Sequence, residues 1–520
     1  TNATIVQAPG KVMEDATIVI SEGLITALGT NVSVPDFAEV IDGTDLFVYP
    51  GFIDGMSYTG ANRPESMERP NNLFSPDPPN DYAGITPEKH VIEQIEANES
   101  SIESLRKAGF TISHTVPYGR MLPGSGALLL LKNATHPDEL ALKNDVSMYT
   151  QFVGAPGAYP GNTLGIMAKF RDLYTNAEYS RNHALSYQKD PTGMARPARD
   201  RVLEAFYPVV AKEKPIYYNA STTLTARRAM KLQKELGFNL VLGNLQQGWE
   251  LADEIKNTNT KVFMSLELPS EPKASREKDK SDEVKQLEQR QSEFYKKYIT
   301  QYAELRKAGI QFGFSTIDIR SNDVKKNIKT LIENGFTEDD ALAALTINAA
   351  SILGIENVTG TLEKGKLGNL IVTKGSYFED DSQIKYSFVD GDKFEFDTTE
   401  KKEHNNRNRN SASYSELIGS WAYAFTSPEG ENTGTMTFSL QDGMLEGVMT
   451  SDDGSPDNDL HNISFVNNEL SFDFDVDAGG QSINIVVEGT VTGNEYEAEA
   501  SIAAFNMSFP ILATKEAPEQ

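Results

Sequence analysis

The sequence predicts an α/β protein: a (β/α)8 TIM barrel with β structure on both of its flanks, and a C-terminal all-β small barrel or sandwich. Three observations carry this reading. Apolar strand-like runs alternate with amphipathic helical patterns from residue 86 to 354. Short β-type runs broken by turn residues lie on either side of that region. From residue 419 onward, alternating strands recur every 8–12 residues with no helical pattern between them. Strand–helix alternation argues for parallel strands joined by crossovers, and evenly spaced short strands argue for an antiparallel barrel or sandwich.

The first 50 residues hold three β-branched runs, 3–6, 16–20 and 24–28, separated by Pro9-Gly10, Glu22-Gly23 and Gly29. A buried strand is expected over 48–54. Five prolines then fall within residues 62–82, which excludes regular helix or central strand. The spacing of Val91, Ile95, Ile102 and Leu105 predicts one helix over 86–107, opened by Thr86-Pro87 and closed by Gly109. Strands are expected at 111–115, 215–219, 240–243, 262–266 and 311–315. Helices are expected at 222–236, 251–256, 286–307 and 324–334. Residues 154–186 resist assignment. The total, about eight units in some 310 residues, fits a closed (β/α)8 barrel. Gly124-Ser125-Gly126 reads as a place of close backbone packing. The dense run of both charges at 273–290 reads as a solvated helix face. After 354 the chain returns to β structure, and the polar stretch 401–413 reads as a linker. The expected segments are therefore β-rich flanks at 1–50 and 362–400, 51–361 as the barrel, 401–413 as linker and 414–520 as an acidic β domain.

Composition narrows the function. Net charge is −27, from 48 basic and 75 acidic residues. Such a surplus repels phosphate backbones and anionic lipid, so no nucleic-acid partner is expected. Residues 411–520 contain 19 Asp or Glu and a single basic residue, Lys515, so the surplus is concentrated there. The Asp452, Asp453, Asp457 and Asp459 group lacks EF-hand spacing and reads as solubilising surface. No apolar run reaches the ~20 residues of a membrane span, so no transmembrane segment is expected. There are no cysteines and only six histidines: His90, His114, His136, His183, His404 and His461. Any metal or acid–base centre must come from these and carboxylates. The chain begins at Thr1, which suits a processed protein or a piece of a longer one.

Four segments in a fixed order carry a family resemblance. They are Glu22-Gly23-Leu24-Ile25, Tyr49-Pro50-Gly51-Phe52-Ile53-Asp54, the run from Ala341 to Ala350, and Gly360 through Val372 ending at Phe388-Val389-Asp390-Gly391. Over about 1–396 the chain resembles the amidohydrolase superfamily, in particular its imidazolonepropionase-like members. That resemblance implies that the two β-rich flanks, 1–50 and 362–400, pair into one composite β-sandwich, and that the barrel is a metal-dependent hydrolase acting on C–N bonds at the C-terminal ends of its strands. It also implies Zn or another divalent metal held by a His-x-His after the first strand, two later histidines, and an aspartate after the last strand. Here those positions carry Met56 and Tyr58, then Asn219, Asn244 and Ile317, with Asp318 one place late. Asp54, part of the signature, reads as a structural hydrogen-bond acceptor.

The expectation is therefore a degenerate member without a cofactor, serving a structural or partner-docking role. The chain is similar to long cell-envelope proteins of Bacteroidetes-type bacteria, in which such a module precedes an intact one. A second amidohydrolase module in the full-length chain, or a partner protein, and a periplasmic or outer-membrane-associated location in a Gram-negative cell follow as expectations. Two alternatives stay open. One is an active hydrolase of amide, cyclic imide or peptide bonds, with His114 and Asp318 as catalytic candidates beside Tyr58. The other is a non-catalytic peptide or sugar binder using Tyr58, Tyr218, Asn219 and Asn244. Gly419-Ser420-Trp421 resembles the opening of lipocalin-type barrels.

Overall fold

The structure is a computed structural model. It describes residues 1–64, 73–272, 281–396, 417–427, 430–441, 444–452, 457–466, 469–478, 481–502 and 507–515. The expected linker 401–413 lies outside the described residues, as do Asp453, much of the Pro-rich stretch and the start of the charged run. The chain divides into two compact units, Thr1–Thr398 and Thr399–Gln520.

In the first unit, a seven-stranded sheet gathers strands from both ends of the segment. Its strands are β1 (Ala3–Ala8), β2 (Lys11–Ser21), β3 (Leu24–Gly29), β4 (Leu46–Pro50), β13 (Leu370–Lys374), β14 (Gln383–Val389) and β15 (Asp392–Glu395), in the order β15-β14-β13-β4-β1-β2-β3. The join between the two flanks is antiparallel, with Val372 opposite Val48 and Leu370 opposite Pro50. Ile5, Val48, Leu362 and Leu370 are buried in its core.

Between these flanks runs an eight-stranded sheet. It comprises β5 (Phe52–Ser57), β6 (Phe110–Thr115), β7 (Gly124–Leu130), β8 (Ala141–Gln151), β9 (Ile216–Asn219), β10 (Leu240–Leu245), β11 (Lys261–Ser265) and β12 (Phe312–Ser315), neighbours in chain order. Its two edge strands meet: Ile317 N and Ser315 Oγ both donate to the Met56 carbonyl, at 3.2 and 2.7 Å. Side chains alternate along each strand, as the pleat requires. Ile53, Met56, Tyr149, Tyr217, Val241 and Phe263 form one buried cluster. Phe52, Tyr218, Leu242 and Phe314 form another, shared with the helices.

Three features differ from the sequence reading. β7 runs antiparallel to both β6 and β8, so the sheet is not uniformly parallel. The tight spacing of β6 and β7, with no room for a helix between them, explains the reversal. The helix expected over 86–107 is confined to Ser100–Lys107, capped by the Glu99 carboxylate on Ser101 N at 2.9 Å. Upstream, Val91 is buried on a short 3-10 turn, Val91–Gln94, and Ile95 is buried in the extended residue after it, so their spacing reflects two anchor points rather than a continuous helix. The unassigned stretch is a 27-residue helix, Thr163–Lys189, anchored by Ile166, Phe170, Leu173 and Ala177.

The second unit is a closed antiparallel barrel of eight strands, β16 (Gly419–Ser427), β17 (Gly430–Gln441), β18 (Met444–Ser451), β19 (Asn458–Val466), β20 (Glu469–Ala478), β21 (Gln481–Thr492), β22 (Glu495–Ile502) and β23 (Met507–Lys515). Each strand pairs with the next, and β23 closes on β16 with Trp421 opposite Lys515. Closure removes the exposed edges that would invite aggregation. Trp421 is buried in its core, and its indole N–H donates to Leu417 O at 2.8 Å.

Candidate functional site

The positions that the family resemblance assigns to metal ligands lie at the C-terminal ends of β5, β9, β10 and β12. Met56 is fully buried, and a Cβ on Gly243 would come within 2.6 Å of its sulfur, so the thioether fills the space between β5 and β10. The Tyr58 hydroxyl bonds the Tyr149 hydroxyl at 3.1 Å. Asn219 Nδ2 donates to that same Tyr149 oxygen at 3.3 Å. Tyr149 in turn donates to Gln151 Oε1 at 3.2 Å. Ile317 is buried in the interior cluster. Burial raises the Tyr58 and Tyr149 hydroxyls above their ordinary range, Tyr149 to about 12, so both stay protonated at neutral pH.

A thioether, a phenol, two carboxamides and an alkyl chain do not fit the divalent metal that the resemblance implies, since such neutral donors hold Zn poorly. Among the described residues no group of three His, Asp or Glu is placed to hold a metal ion.

His114, one residue from the end of β6, does not face the strand-end site. It is fully buried inside, with Nδ1 2.9 Å from Gly55 O and Nε2 2.8 Å from Ser147 Oγ. Its ring lies edge-on to Tyr217 at 4.4 Å. A Cβ on Gly126 would meet Nε2 at 2.6 Å, so the close packing read from Gly124-Ser125-Gly126 makes room for this imidazole. Burial lowers its pKa to about 4. With both nitrogens engaged and the ring neutral, His114 is a structural strut and does not join Tyr58 and Asp318. Tyr218 is also placed differently from the sequence reading. Strand alternation turns it outward, 4.6 Å from the Phe152 ring and 6.3 Å from Phe170. Asp54 is fully buried and accepts from Ser113 Oγ at 2.8 Å and Thr316 N at 2.9 Å, joining β5, β6 and the end of β12.

The structure does bring Asn244 and Asp318 together, with Asn244 Nδ2 3.4 Å from Asp318 Oδ2. It adds Glu267, just past β11, whose carboxylate accepts from Gln246 Nε2 at 2.8 Å. Burial, reinforced by the charge of Asp318, pushes the Glu267 carboxyl up to about 7. Asp318 is exposed to solvent, yet crowding by protein raises its carboxyl, with Arg63 and Asn244 opposing the shift. The carboxylate of Asp318 is thus open to solvent on one side and crowded by protein on the other. Tyr58 stacks on Tyr118 with ring centres 4.0 Å apart, and Arg63 lies 5.4 Å from the Tyr118 ring centre. Sequence reading missed Glu267, Tyr118, Tyr149 and Arg63. Glu267 had a signal, a carboxylate directly after an apolar strand in the chain order where barrel sites form.

A model of the amidohydrolase family matches residues 270–397. Over 407 residues the chain is 23% identical to an imidazolonepropionase of Flavobacterium johnsoniae, covering 72% of this chain and 89% of the relative. A crystal structure of an amidohydrolase from Thermotoga maritima shares the fold, with a TM-score of 0.62 at 22% identity over 76% of this chain and 99% of that one. The family match, the sequence relative and the common fold agree with the signature segments and support an imidazolonepropionase-like member of the amidohydrolase superfamily.

Proposed function

We propose that the eight-stranded sheet is the (β/α)8 barrel of this superfamily with its metal site lost, and that the module serves a structural or docking role rather than C–N bond hydrolysis. The observation that carries this reading is the filling of the ligand positions. Met56 is packed against Gly243, and Tyr58 and Asn219 are both tied to the Tyr149 hydroxyl. These side chains take up the coordination volume and present no imidazole to a metal. The eight-stranded antiparallel barrel with Trp421 at its start supports a lipocalin-like reading of the second unit. A second amidohydrolase module or partner protein and a cell-envelope location belong to the same proposal. Among the described residues, no helix is long and apolar enough to cross a membrane.

The test is elemental analysis of the purified full chain. The expected result is no stoichiometric Zn, Mn or Fe, before or after incubation with each metal. About one tightly held metal per chain overturns the reading. An active hydrolase with an atypical site is the second reading, favoured by the Glu267 carboxyl near 7, a value suited to general acid–base work. It requires turnover of small amides or cyclic imides that Glu267→Gln abolishes.

A further inference from the structure

The recess at the ends of β10, β11 and β12 has a charge balance that the metal-free reading does not use. Glu267 and Asp318 each carry a potential negative charge, and among the described residues neither forms an ion pair. The cation that bears on Asp318 is Arg63, acting at longer range. Among the described residues, two carboxylates against one guanidinium leave a deficit of one positive charge. Asn244, 1% exposed, stands against Asp318 through its Nδ2 while its Oδ1 has no hydrogen-bond partner. A buried, unpaired carbonyl oxygen is a costly feature in an empty site and an acceptor for an N–H donor in a filled one.

The wall of the recess is aromatic. Tyr58, Tyr118 and Tyr149 lie near enough to Asp318 for its charge to add to the rise of their hydroxyls. Tyrosine ring faces attract organic cations, as the position of Arg63 beside Tyr118 already shows. A hard metal ion asks for six or more oxygens at about 2.3–2.6 Å, which two carboxylates and one amide do not supply.

We propose that the recess formed by Glu267, Asp318 and Asn244, walled by Tyr58 and Tyr118, binds a monovalent organic cation, an alkylguanidinium or alkylammonium group. This goes beyond the metal-free module and does not depend on it. A planar guanidinium pairs with carboxylates through parallel N–H···O bonds and has N–H groups left for the Asn244 oxygen. Binding also couples to protons. Among the described residues, the groups facing Glu267 are Asp318, Gln246, and Tyr298 and Tyr302 on the helix Asp282–Lys307; none of these supplies a positive charge. An arriving cation therefore lowers the Glu267 pKa and releases a proton near neutral pH.

The experiment is calorimetric titration of the full chain with butylguanidinium, its neutral isostere butylurea and calcium chloride, with elemental analysis of the same sample. The expected result is one butylguanidinium bound per chain, with butylurea weaker by roughly tenfold or more. Asp318→Asn and Glu267→Gln should each weaken butylguanidinium by roughly tenfold, and Glu267→Gln should abolish proton release at pH 7. Asn244→Asp, which adds a carboxylate, should tighten it. Equal binding of butylurea, or butylguanidinium binding indifferent to all three substitutions, overturns the proposal. So does calcium binding that needs Glu267 and Asp318 while butylguanidinium does not bind. Stoichiometric zinc in the elemental analysis overturns the metal-free reading alone and leaves the titration to judge the cation site.

Discussion

Asn244 Nδ2 reaches Asp318 Oδ2 at 3.4 Å, and both residues hold left-handed backbone, with φ of 53° and 66°. The register of β10 against β11 slips between Leu242 and Leu245, so Asn244 sits in a bulge that turns its amide toward the end of β12. Asn is among the few residues that tolerate this region. Replacement by Ala keeps the strain and removes the amide, whereas Gly removes both. Asn244→Gly is therefore expected to be more stable than Asn244→Ala by about 1 kcal/mol in urea unfolding. Equal stabilities, or an Ala variant above the Gly variant, contradict the strained-bulge account.

Glu267 gives a pH dependence with a definite sign. Its folded pKa, about 7, lies above the usual carboxylate value, so the folded state holds its proton more tightly than the unfolded chain does. The stability it contributes is complete below about pH 4.5 and declines as pH rises through 7. Glu267→Gln should thus leave stability at pH 4 nearly unchanged and raise it at pH 8. For a partly exposed group the gain is about 1–2 kcal/mol, less than the full shift implies. Thermal unfolding of both proteins at the two pH values checks this, and a Gln variant weaker at pH 8 refutes it.

His114 acts in the opposite sense. Its folded pKa of about 4 lies below the unfolded value near 6.5, because the buried ring stays neutral. Unfolding takes up a proton between these limits, so stability falls as pH drops from about 6.5 to 4, by up to about 3 kcal/mol. In His114→Gln this component of the acid destabilisation disappears, although the protein is weaker overall through loss of the paired bonds to Gly55 and Ser147. Urea midpoints collected from pH 4 to 8 provide the comparison. Parallel pH profiles for the two proteins would show that His114 is not held neutral.

Much of this architecture was legible because it rests on local patterning. β9 to β12 and the helices Thr223–Leu236 and Asp282–Lys307 fall within a few residues of where apolar spacing and caps put them. The failures have physical causes. β7 is as apolar as its neighbours, and composition does not record direction, so its reversal was invisible. Val91 and Ile95 have helical spacing but are pinned separately, Ile95 through a bridge to Ala61. At the site, the signature fixed Met56, Tyr58 and Asn219 by position. It could not show that Tyr218 faces the helices, since that depends on the phase of strand alternation. His114 lay one residue from the end of its strand, and only the contacts of its ring reveal an interior role. Glu267 and Arg63 are far apart in sequence, and the recess that joins their effects on Asp318 exists only in the folded chain.

Met56 offers the sharpest test of whether the ligand positions are structurally committed. Its side chain is fully buried against Gly243 and the interior cluster of Ile53, Ile112 and Phe263. Met56→Ala should cost about 2–5 kcal/mol, the range for emptying a core site. The double change Met56→His, Tyr58→His restores the two residue types of the family pattern. Asn219, Asn244 and Ile317 would still fail to complete a coordination shell, and the imidazole at 56 would replace apolar packing and require its own hydrogen bonds. The double variant should therefore melt below the parent and bind zinc substoichiometrically. Differential scanning calorimetry with and without zinc, followed by elemental analysis after dialysis, measures both quantities. One retained zinc per chain together with a raised melting temperature would show that the metal site survives in all but two side chains.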